Sequence, residues 1–176
     1  MEFLNIDISI IMHHTELWYT SNTAYFASLV LPTCKVIPRG QPDTRIIASD
    51  FEDQDVDYLY LFPSQDSKPI SEYKRGSKKV HLVVPDGSWS KAKKIHKREQ
   101  VFKSMNKYHL EGIGKSNYKL RKSPGENFVC TYEAIAYAVG ILDGVQLRQQ
   151  MLEFFDIFVQ RVLQSRQGDF AKDKSN

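Results

Sequence analysis

Hydrophobic positions along the chain alternate between short apolar runs and amphipathic stretches. Continuous apolar or β-branched runs predict buried strands at 6–12, 34–38, 57–64, 79–86 and 106–112. Between these runs, apolar residues at helical spacing predict helices at 21–32, 88–102 and 131–144. A last amphipathic helix carries its apolar stripe on Met151, Leu152, Phe155, Val159 and Leu163. Strands that alternate with helices predict an α/β fold with a mainly parallel sheet flanked by helices.

Two of the predicted strands end in segments marked by proline. The strand at 57–64 ends in LFPS, and the strand at 79–86 continues into VVPDGSW. In open parallel sheets, ligands bind beyond the carboxyl ends of the strands. We therefore expect these two strand ends and the loop SNYKLRKSP to converge on one pocket.

Asp86 and Trp89 lie where the strand at 79–86 gives way to the next helix. An acidic residue at such a place is most often a helix N-cap, which accepts hydrogen bonds from the first free N–H groups. The alternative is a carboxylate at the pocket rim that acts as a general base or orients a substrate N–H. Trp89 similarly either packs against the sheet or forms the wall of a base pocket. The pattern alone leaves both pairs of alternatives open.

The chain is only mildly basic, but two segments concentrate its positive charge. A formal net charge of +3 over 176 residues permits an anionic partner without requiring one. The predicted helix at 88–102 has Glu99 as its only acid, and a tyrosine lies within the basic loop at 114–123. The basic residues of the two segments include Lys91, Lys93, Lys94, Lys97, Arg98, Lys115, Lys119, Arg121 and Lys122. Basic side chains near an aromatic ring suit phosphate contact and base stacking, so the two segments together favour RNA.

Several classes of protein lack their signatures in this sequence. The two cysteines form no CxxC pair and the histidines no HxxxH motif, so no metal site is expected. No GxGxxG, GxxxxGK[ST] or GxSxG motif is present, which argues against dinucleotide, P-loop and serine-hydrolase functions. No apolar stretch reaches the length of a membrane span, and the first residues do not form a signal peptide. We expect a cytoplasmic protein with a single domain over 1–176, which ends in a helix at 146–165 and a frayed tail.

Four segments of the chain, in this order, resemble the DTW-domain family. They read HTELWYTSNTAYFASLVLP, YLYLFPS, VVPDGSWSKAKKI and SNYKLRKSPGENFVCTYEAIA, and the resemblance covers roughly residues 8–145. The D-x-[ST]-W motif that names the family falls on Asp86, Gly87, Ser88 and Trp89. The other matching positions are Thr15, Glu16, Ser21, Asn22, Thr23, Ser116, Tyr118, Leu120, Arg121, Thr131, Glu133 and Ala134. Each motif is weak alone, and the four in register make the resemblance specific.

The resemblance implies a SPOUT-like α/β sheet with a C-terminal trefoil knot that holds the cofactor. The family is similar to tRNA-uridine aminocarboxypropyltransferases, which use S-adenosylmethionine but move its 3-amino-3-carboxypropyl group. The implied reaction joins this group to N3 of a uridine in tRNA and releases methylthioadenosine. The implied partner is tRNA, with no metal and no membrane, and the implied assembly is a monomer, with a dimer as the alternative. The sequence shows no counterpart of the cysteine-rich zinc segment with which many bacterial members begin.

The resemblance also suggests a role for individual residues. Asp86 would accept or orient the N3 proton of uridine. Arg121 would pair with the carboxylate of the cofactor or with an RNA phosphate. The implied cofactor-binding residues are Phe62, Pro63, Ser64, Trp89, Leu120, Arg121 and Thr131. The implied RNA-binding residues are Lys91, Lys94, Arg98, Lys115, Tyr118 and Lys119.

Three alternatives to this enzyme remain open from the sequence. The first is an RNA-binding module with a degenerate cofactor pocket. The second is a SPOUT-type RNA methyltransferase, and the third is a scaffold for protein interactions. An RNA-binding module predicts tRNA retention that weakens with salt and no heat on titration with S-adenosylmethionine. A methyltransferase predicts methyluridine and adenosylhomocysteine as products. A scaffold predicts that Trp89→Ala perturbs stability alone.

Overall fold

One parallel sheet forms the centre of the described protein. The structure is a computed structural model and describes residues 4–19, 21–41, 46–114, 116, 118, 120 and 128–167. Within these residues the strands are β1 (Ile6–His13), β2 (Cys34–Arg39), β3 (Val56–Leu61), β4 (Lys68–Pro69), β5 (Lys79–Asp86) and β6 (Asn106–His109). Their order is β2-β1-β5-β3-β6-β4, and each described pair is parallel. The prediction of an α/β fold with a mainly parallel sheet is confirmed.

Helices cover both faces of this sheet. In the described part of the chain they are α1 (Thr23–Val30), α2 (Trp89–Arg98), α3 (Val101–Ser104), α4 (Thr131–Leu142) and α5 (Val145–Gln167). Successive residues of β5 point to opposite faces because side chains alternate along a strand. Leu82 and Val84 pack in the core beneath α1, α4 and α5, whereas Val83 packs with residues of α2 and α3. None of these helices is long and apolar enough to cross a membrane.

The predicted apolar stripe of the last helix is confirmed. Met151, Phe155 and Val159 are buried, and Leu152 and Leu163 pack against them at the edge of the core. The helix continues to Gln167, beyond the predicted end at 165. Its stripe docks against aromatic rings of the neighbouring helices, which include Tyr132 at a centroid distance of 4.8 Å from Phe155. This packing fixes α4, whose first residue reaches the site described below.

The helix predicted over 88–102 is wrong in its length. α2 ends at Arg98, and a separate short helix begins at Val101. Glu99 leaves the helical conformation, with φ −85° and ψ 109°, and its carboxylate forms an ion pair with Arg39 at the end of β2. The helix therefore stops where Glu99 contacts a strand distant in sequence, within a stretch whose local pattern is helical. The two-residue strand β4 was also missed, because it is too short to carry an alternating pattern.

The strand order places a switch point at the carboxyl end of β1. The chain leaves β1 through α1 to form β2 on one side, and the later strands fill the other side, with β5 adjacent to β1. Crossovers that leave in opposite directions open a crevice beyond the strand ends, which is where open α/β sheets bind ligands. In the register of this pair, Met12 of β1 lies opposite Asp86 of β5.

Candidate active site

A cavity of about 280 Å³ opens at the carboxyl ends of β3, β5 and β6. This volume is near the lower end of ligand pockets, which span roughly 300–1,000 Å³. Its walls are mainly apolar and come from three strand ends, the beginning of α2 and the residues before and within α4. The lining residues are Leu61, Phe62, Pro63, Val84, Pro85, Gly87, Ala92, His109, Leu110, Ile113, Phe128, Val129, Thr131 and Ala134. The two strand ends marked by proline thus share one cavity.

Asp86 is the last residue of β5 and is only 7% exposed. Its Oδ1 accepts a hydrogen bond of 2.5 Å from the hydroxyl of Thr131, the first residue of α4. A carboxylate at a helix N-terminus is stabilised by the partial positive charge of the free N–H groups there. Asp86 does not itself line the cavity, but Pro85, Gly87 and Thr131 do. The carboxylate therefore lies immediately behind the cavity wall.

The interpretation of Asp86 as the N-cap of the next helix is wrong. Ser88 is the N-cap of α2, and its hydroxyl oxygen accepts a hydrogen bond of 3.4 Å from the backbone N–H of Lys91. Asp86 is still paired in the sheet, in register with Met12 of β1. Its carboxylate contacts a helix that begins much later in the chain, so its structural role is long-range.

Glu133 ties the loop before α4 to the first turn of that helix. Its side chain is buried, and Oε2 accepts hydrogen bonds of 2.6 Å from the Ser116 hydroxyl and 2.9 Å from the backbone N–H of Cys130. Burial, followed by the charge of Glu133, raises the pKa of the Cys130 thiol well above its usual range. A cysteine at a helix N-terminus commonly has a lowered pKa. The raised pKa lowers the thiolate fraction, so the surroundings of Cys130 do not favour a nucleophile.

Tyr118 joins the same loop to the beginning of α1. Its hydroxyl donates a hydrogen bond of 2.5 Å to the backbone carbonyl of Ser21, and its ring stacks on Phe155 at a centroid distance of 6.0 Å. The neighbouring Asn22 caps α1, since its Oδ1 accepts hydrogen bonds of 2.9 Å from two backbone N–H groups of the first turn. The amide nitrogen of Asn22 also donates to the carbonyl oxygen of Glu16 at 2.8 Å. These contacts connect segments that lie far apart in the sequence.

Lys91 completes the connections around the cavity. Its ammonium group donates hydrogen bonds of 2.5 Å to Glu16 Oε1 and 3.3 Å to the Thr15 hydroxyl. Its stem packs over Gly87, where an added Cβ would lie 3.0 Å from the Cβ of Lys91. Gly87 also has a φ of +133°, which disfavours any residue with a side chain. The turn after β1, the end of β5 and the first turn of α2 are therefore locked together.

Comparison with known proteins identifies the family of this chain. The profile of the DTW domain matches residues 1–163. The chain belongs to the DTW-domain family. It is 32% identical over 95 residues to tRNA-uridine aminocarboxypropyltransferase 2 of Drosophila melanogaster, a match that covers 53% of this chain and 38% of that protein. It is 27% identical over 96 residues to tRNA-uridine aminocarboxypropyltransferase 2 of Macaca fascicularis, covering 53% of this chain and 32% of that protein.

The matches leave most of each relative uncovered. The chain aligns with less than two-fifths of the length of these two curated proteins. No solved structure matches the chain. Among the described residues there is no group of three or more histidine, cysteine, aspartate or glutamate residues that would hold a metal ion.

The cofactor residues predicted for this DTW domain are distributed unevenly around the cavity. Phe62, Pro63 and Thr131 line it. Ser64 and Leu120 do not belong to its described lining: the Ser64 hydroxyl donates to Asp66 in a local turn, and Leu120 packs in the core. Trp89 begins α2, and its side chain and all of Arg121 lie outside the described residues. Cofactor binding by these residues stays a prediction.

The RNA residues predicted for the DTW domain also fall into distinct groups. Lys94 and Arg98 are exposed on α2. Lys91 and Tyr118 are engaged in the internal contacts described above. Lys115 and Lys119 lie outside the described residues. RNA contact by all six residues stays a prediction, and of the four that the structure describes, Lys94 and Arg98 are the two exposed ones.

Sequence reasoning missed several residues at this edge of the DTW domain. Leu110 and Ile113 line the cavity because β6 lies next to β3, an order that no local pattern reveals. Trp18 belongs to a quoted family segment but was not singled out, although it is the most exposed large apolar residue of the described chain, at 85%.

Proposed function

We propose that this chain uses S-adenosylmethionine to transfer a 3-amino-3-carboxypropyl group to N3 of a uridine in tRNA. The observation that carries the proposal is that three of the four DTW segments line one cavity, while the first segment is joined to them through Lys91. Thr15 and Glu16 bind Lys91, and Asp86 accepts from Thr131. The names of the curated relatives support the same reaction for proteins that share this domain.

The residues at the cavity fit the proposed cofactor. The apolar walls, with Phe62, Leu110 and Phe128 among them, suit the flat face of an adenine ring. The Thr131 hydroxyl brings a polar atom to one side of the cavity, with the carboxylate of Asp86 immediately behind it. The N-terminus of α4 adds partial positive charge on the same side, which suits a carboxylate. These groups suit the adenine and the carboxylate of the cofactor, which leaves Asp86 to act on uridine.

The residues of the chain would position the reactants and move one proton. When bound, S-adenosylmethionine would supply an electrophilic carbon next to a sulfonium, so that an N–C bond forms as the C–S bond breaks and methylthioadenosine leaves. Asp86 would take the proton from N3 of uridine, because a neutral amide nitrogen is a weak nucleophile. Thr131 would hold the carboxylate in place through its hydroxyl. The apolar walls would keep water from competing with uridine.

The finer fold assignment belongs to the same proposal. We infer a SPOUT-like sheet with a C-terminal trefoil knot from the family resemblance, supported by the parallel sheet and by the cavity at its carboxyl edge. Residues 121–127 of the loop before α4 lie outside the described part of the chain. A cytoplasmic location, where tRNA is available, is part of the proposal as well.

Product analysis tests the proposed reaction. The protein is incubated with S-adenosylmethionine and unmodified tRNA, and the digested RNA and the small molecules are analysed by mass spectrometry. We expect aminocarboxypropyl-uridine and methylthioadenosine in equal amounts. Methyluridine with adenosylhomocysteine would indicate a methyltransferase instead. Retention of tRNA with neither product would indicate an RNA-binding module.

The exposed basic face of α2 gives a prediction about RNA binding. We expect the double variant Lys94→Ala, Arg98→Ala to weaken tRNA binding by about tenfold, because each side chain is exposed and can reach a phosphate. The slope of log affinity against log salt should fall by roughly one for each phosphate that the variant no longer neutralises. Filter binding at several salt concentrations measures both. The double variant Lys78→Ala, Lys79→Ala is the matched control, since it removes two exposed positive charges at the amino end of β5. Equal reductions of affinity in the variant and the control would contradict a specific RNA face.

A further inference from the structure

Exposed aromatic rings follow the carboxyl end of β1. Trp18 is 85% exposed and Tyr19 is 54% exposed, and Tyr25 in the first turn of α1 is 45% exposed. Tryptophan is highly buried on average in folded proteins, so a nearly bare ring next to a second exposed ring is unusual. Aromatic side chains with one apolar face and a polar edge are enriched where a partner binds.

The turn that carries these rings is held firmly by its own backbone. The N–H of Leu17 donates to the carbonyl of His14, and the N–H of Tyr19 donates to that of Glu16, both at 3.3 Å. Asn22 binds the same turn twice, through its backbone N–H to Tyr19 and its side chain to Glu16. The Glu16 carboxylate is buried and bound by Lys91 from α2. The rings are thus displayed on a fixed backbone, which lowers the entropy lost on binding.

The turn lies beside the candidate active site. Lys91 binds Glu16 through its ammonium group and packs its stem on Gly87, and Gly87 lines the cavity. The surroundings are positively charged as well. The helix α2, whose Lys91 binds Glu16, carries the exposed cations Lys93, Lys94, Lys97 and Arg98. An aromatic surface beside a cavity and among cationic groups matches the combination that binds unstacked nucleic acid.

We propose that Trp18, with Tyr19 beside it, stacks on a base of the substrate RNA adjacent to the uridine that enters the cavity. This inference rests on the proposed function and identifies how that site holds its substrate. N3 lies on the pairing edge of uridine, so the base must leave its helix or loop stack before it reacts. The bases next to this uridine then lack a stacking partner, and the exposed indole of Trp18 takes the place of the missing base. Stacking on an aromatic side chain contributes roughly 5- to 150-fold in affinity per base.

Substitution of Trp18 tests this role in the full chain. We expect Trp18→Ala to raise the dissociation constant for unmodified tRNA by roughly 5- to 150-fold. Trp18→Phe should retain most of the affinity because it keeps a flat ring. S-adenosylmethionine affinity, measured by calorimetry, and the melting temperature should not change in either variant. Ile47→Ala is the matched control, since Ile47 is 60% exposed and precedes the amino end of β3.

Fluorescence gives a second measurement that does not need turnover. In a Trp89→Phe background, Trp18 is the remaining tryptophan, because the chain has two. Titration with a single-stranded oligouridine should quench its emission, and Trp18→Ala should weaken binding of the same oligonucleotide.

The two proposals fail in different ways. Quenching and weakened binding without any aminocarboxypropyl-uridine would support stacking and reject the enzyme. Normal product formation with unchanged tRNA affinity in Trp18→Ala and no quenching would overturn stacking and leave the enzyme in place. A change in oligomeric state or in vesicle binding, with RNA affinity unchanged, would assign the rings to another partner and overturn the inference.

Discussion

Replacement of Asp86 by asparagine is expected to lower turnover by about 10²- to 10⁴-fold while the fold stays intact. The amide has the shape of the carboxylate and retains an oxygen that accepts the hydrogen bond from Thr131. It cannot take a proton from N3 of uridine. Release of methylthioadenosine in the presence of tRNA measures the rate, and calorimetry with S-adenosylmethionine shows whether the cofactor still binds.

Two further variants separate catalysis from the anchoring of α4. Thr131→Val removes the hydroxyl that donates to Asp86, and Asp86→Ala removes the acceptor. Loss of a hydrogen bond to a charged group costs about 1.5–3 kcal/mol, which lowers the melting temperature by about 3–12 °C at this chain length. If Asp86 only anchors the helix, Asp86→Asn stays active and the other two variants lose stability alone. An active Asp86→Asn variant would reject the role of general base.

The position of the cavity was predictable from the sequence, whereas the partner of Asp86 was not. Apolar runs that stop at Pro63 and Pro85 mark strand ends, and parallel strands bring their carboxyl ends to one edge. The hydroxyl that binds Asp86 comes from Thr131, in a helix that no local pattern links to this strand. Asp86 and Ser88 are both good N-cap residues, and only the backbone decides between them. Ser88, with φ −60° and ψ 154°, precedes the helix directly.

Contacts between distant strands explain the remaining errors. The helical pattern over 88–102 does produce helices, but α2 stops where Glu99 forms its ion pair with Arg39. The order of β3 and β6 decides that Leu110 reaches the cavity, and strand order is a property of the whole sheet. Local patterns predict elements well because they depend on near neighbours. Local patterns do not predict which strands and helices become adjacent in the fold.

Several residues of the family motifs make structural contacts that the motifs alone do not reveal. Ser116, Tyr118 and Glu133 match the DTW pattern, yet their described contacts are largely with one another and with the beginning of α1. Such residues tie the loop before α4 to its neighbours, and fewer of the motif residues, among them Gly87 and Thr131, line the cavity. A match to the motif is therefore evidence that the whole site is present. The contacts of each motif residue then decide whether that residue supports the cavity or lines it.

Glu133→Ala is expected to lower the free energy of unfolding by about 3 kcal/mol and the melting temperature by about 6–12 °C. The substitution leaves the Ser116 hydroxyl and the Cys130 N–H without their buried acceptor. It also removes the acidic group that favours the first turn of α4. Thermal unfolding followed by circular dichroism measures the change. Glu153→Ala is the matched control, because Glu153 is exposed on α5 and should change stability by less than about 0.5 kcal/mol.

Thiol labelling shows whether the same variant releases the loop before α4. The charge of Glu133 contributes to the raised pKa of Cys130, so its removal lowers that pKa and increases the thiolate fraction at pH 8. Iodoacetamide should then react faster with Cys130 in Glu133→Ala than in the unmodified chain. Cys34 is the internal control, since burial alone raises its pKa to about 12 and it lies in β2. Faster labelling of both cysteines would indicate global unfolding, and unchanged labelling of Cys130 with an unchanged melting temperature would show that Glu133 does not anchor the loop.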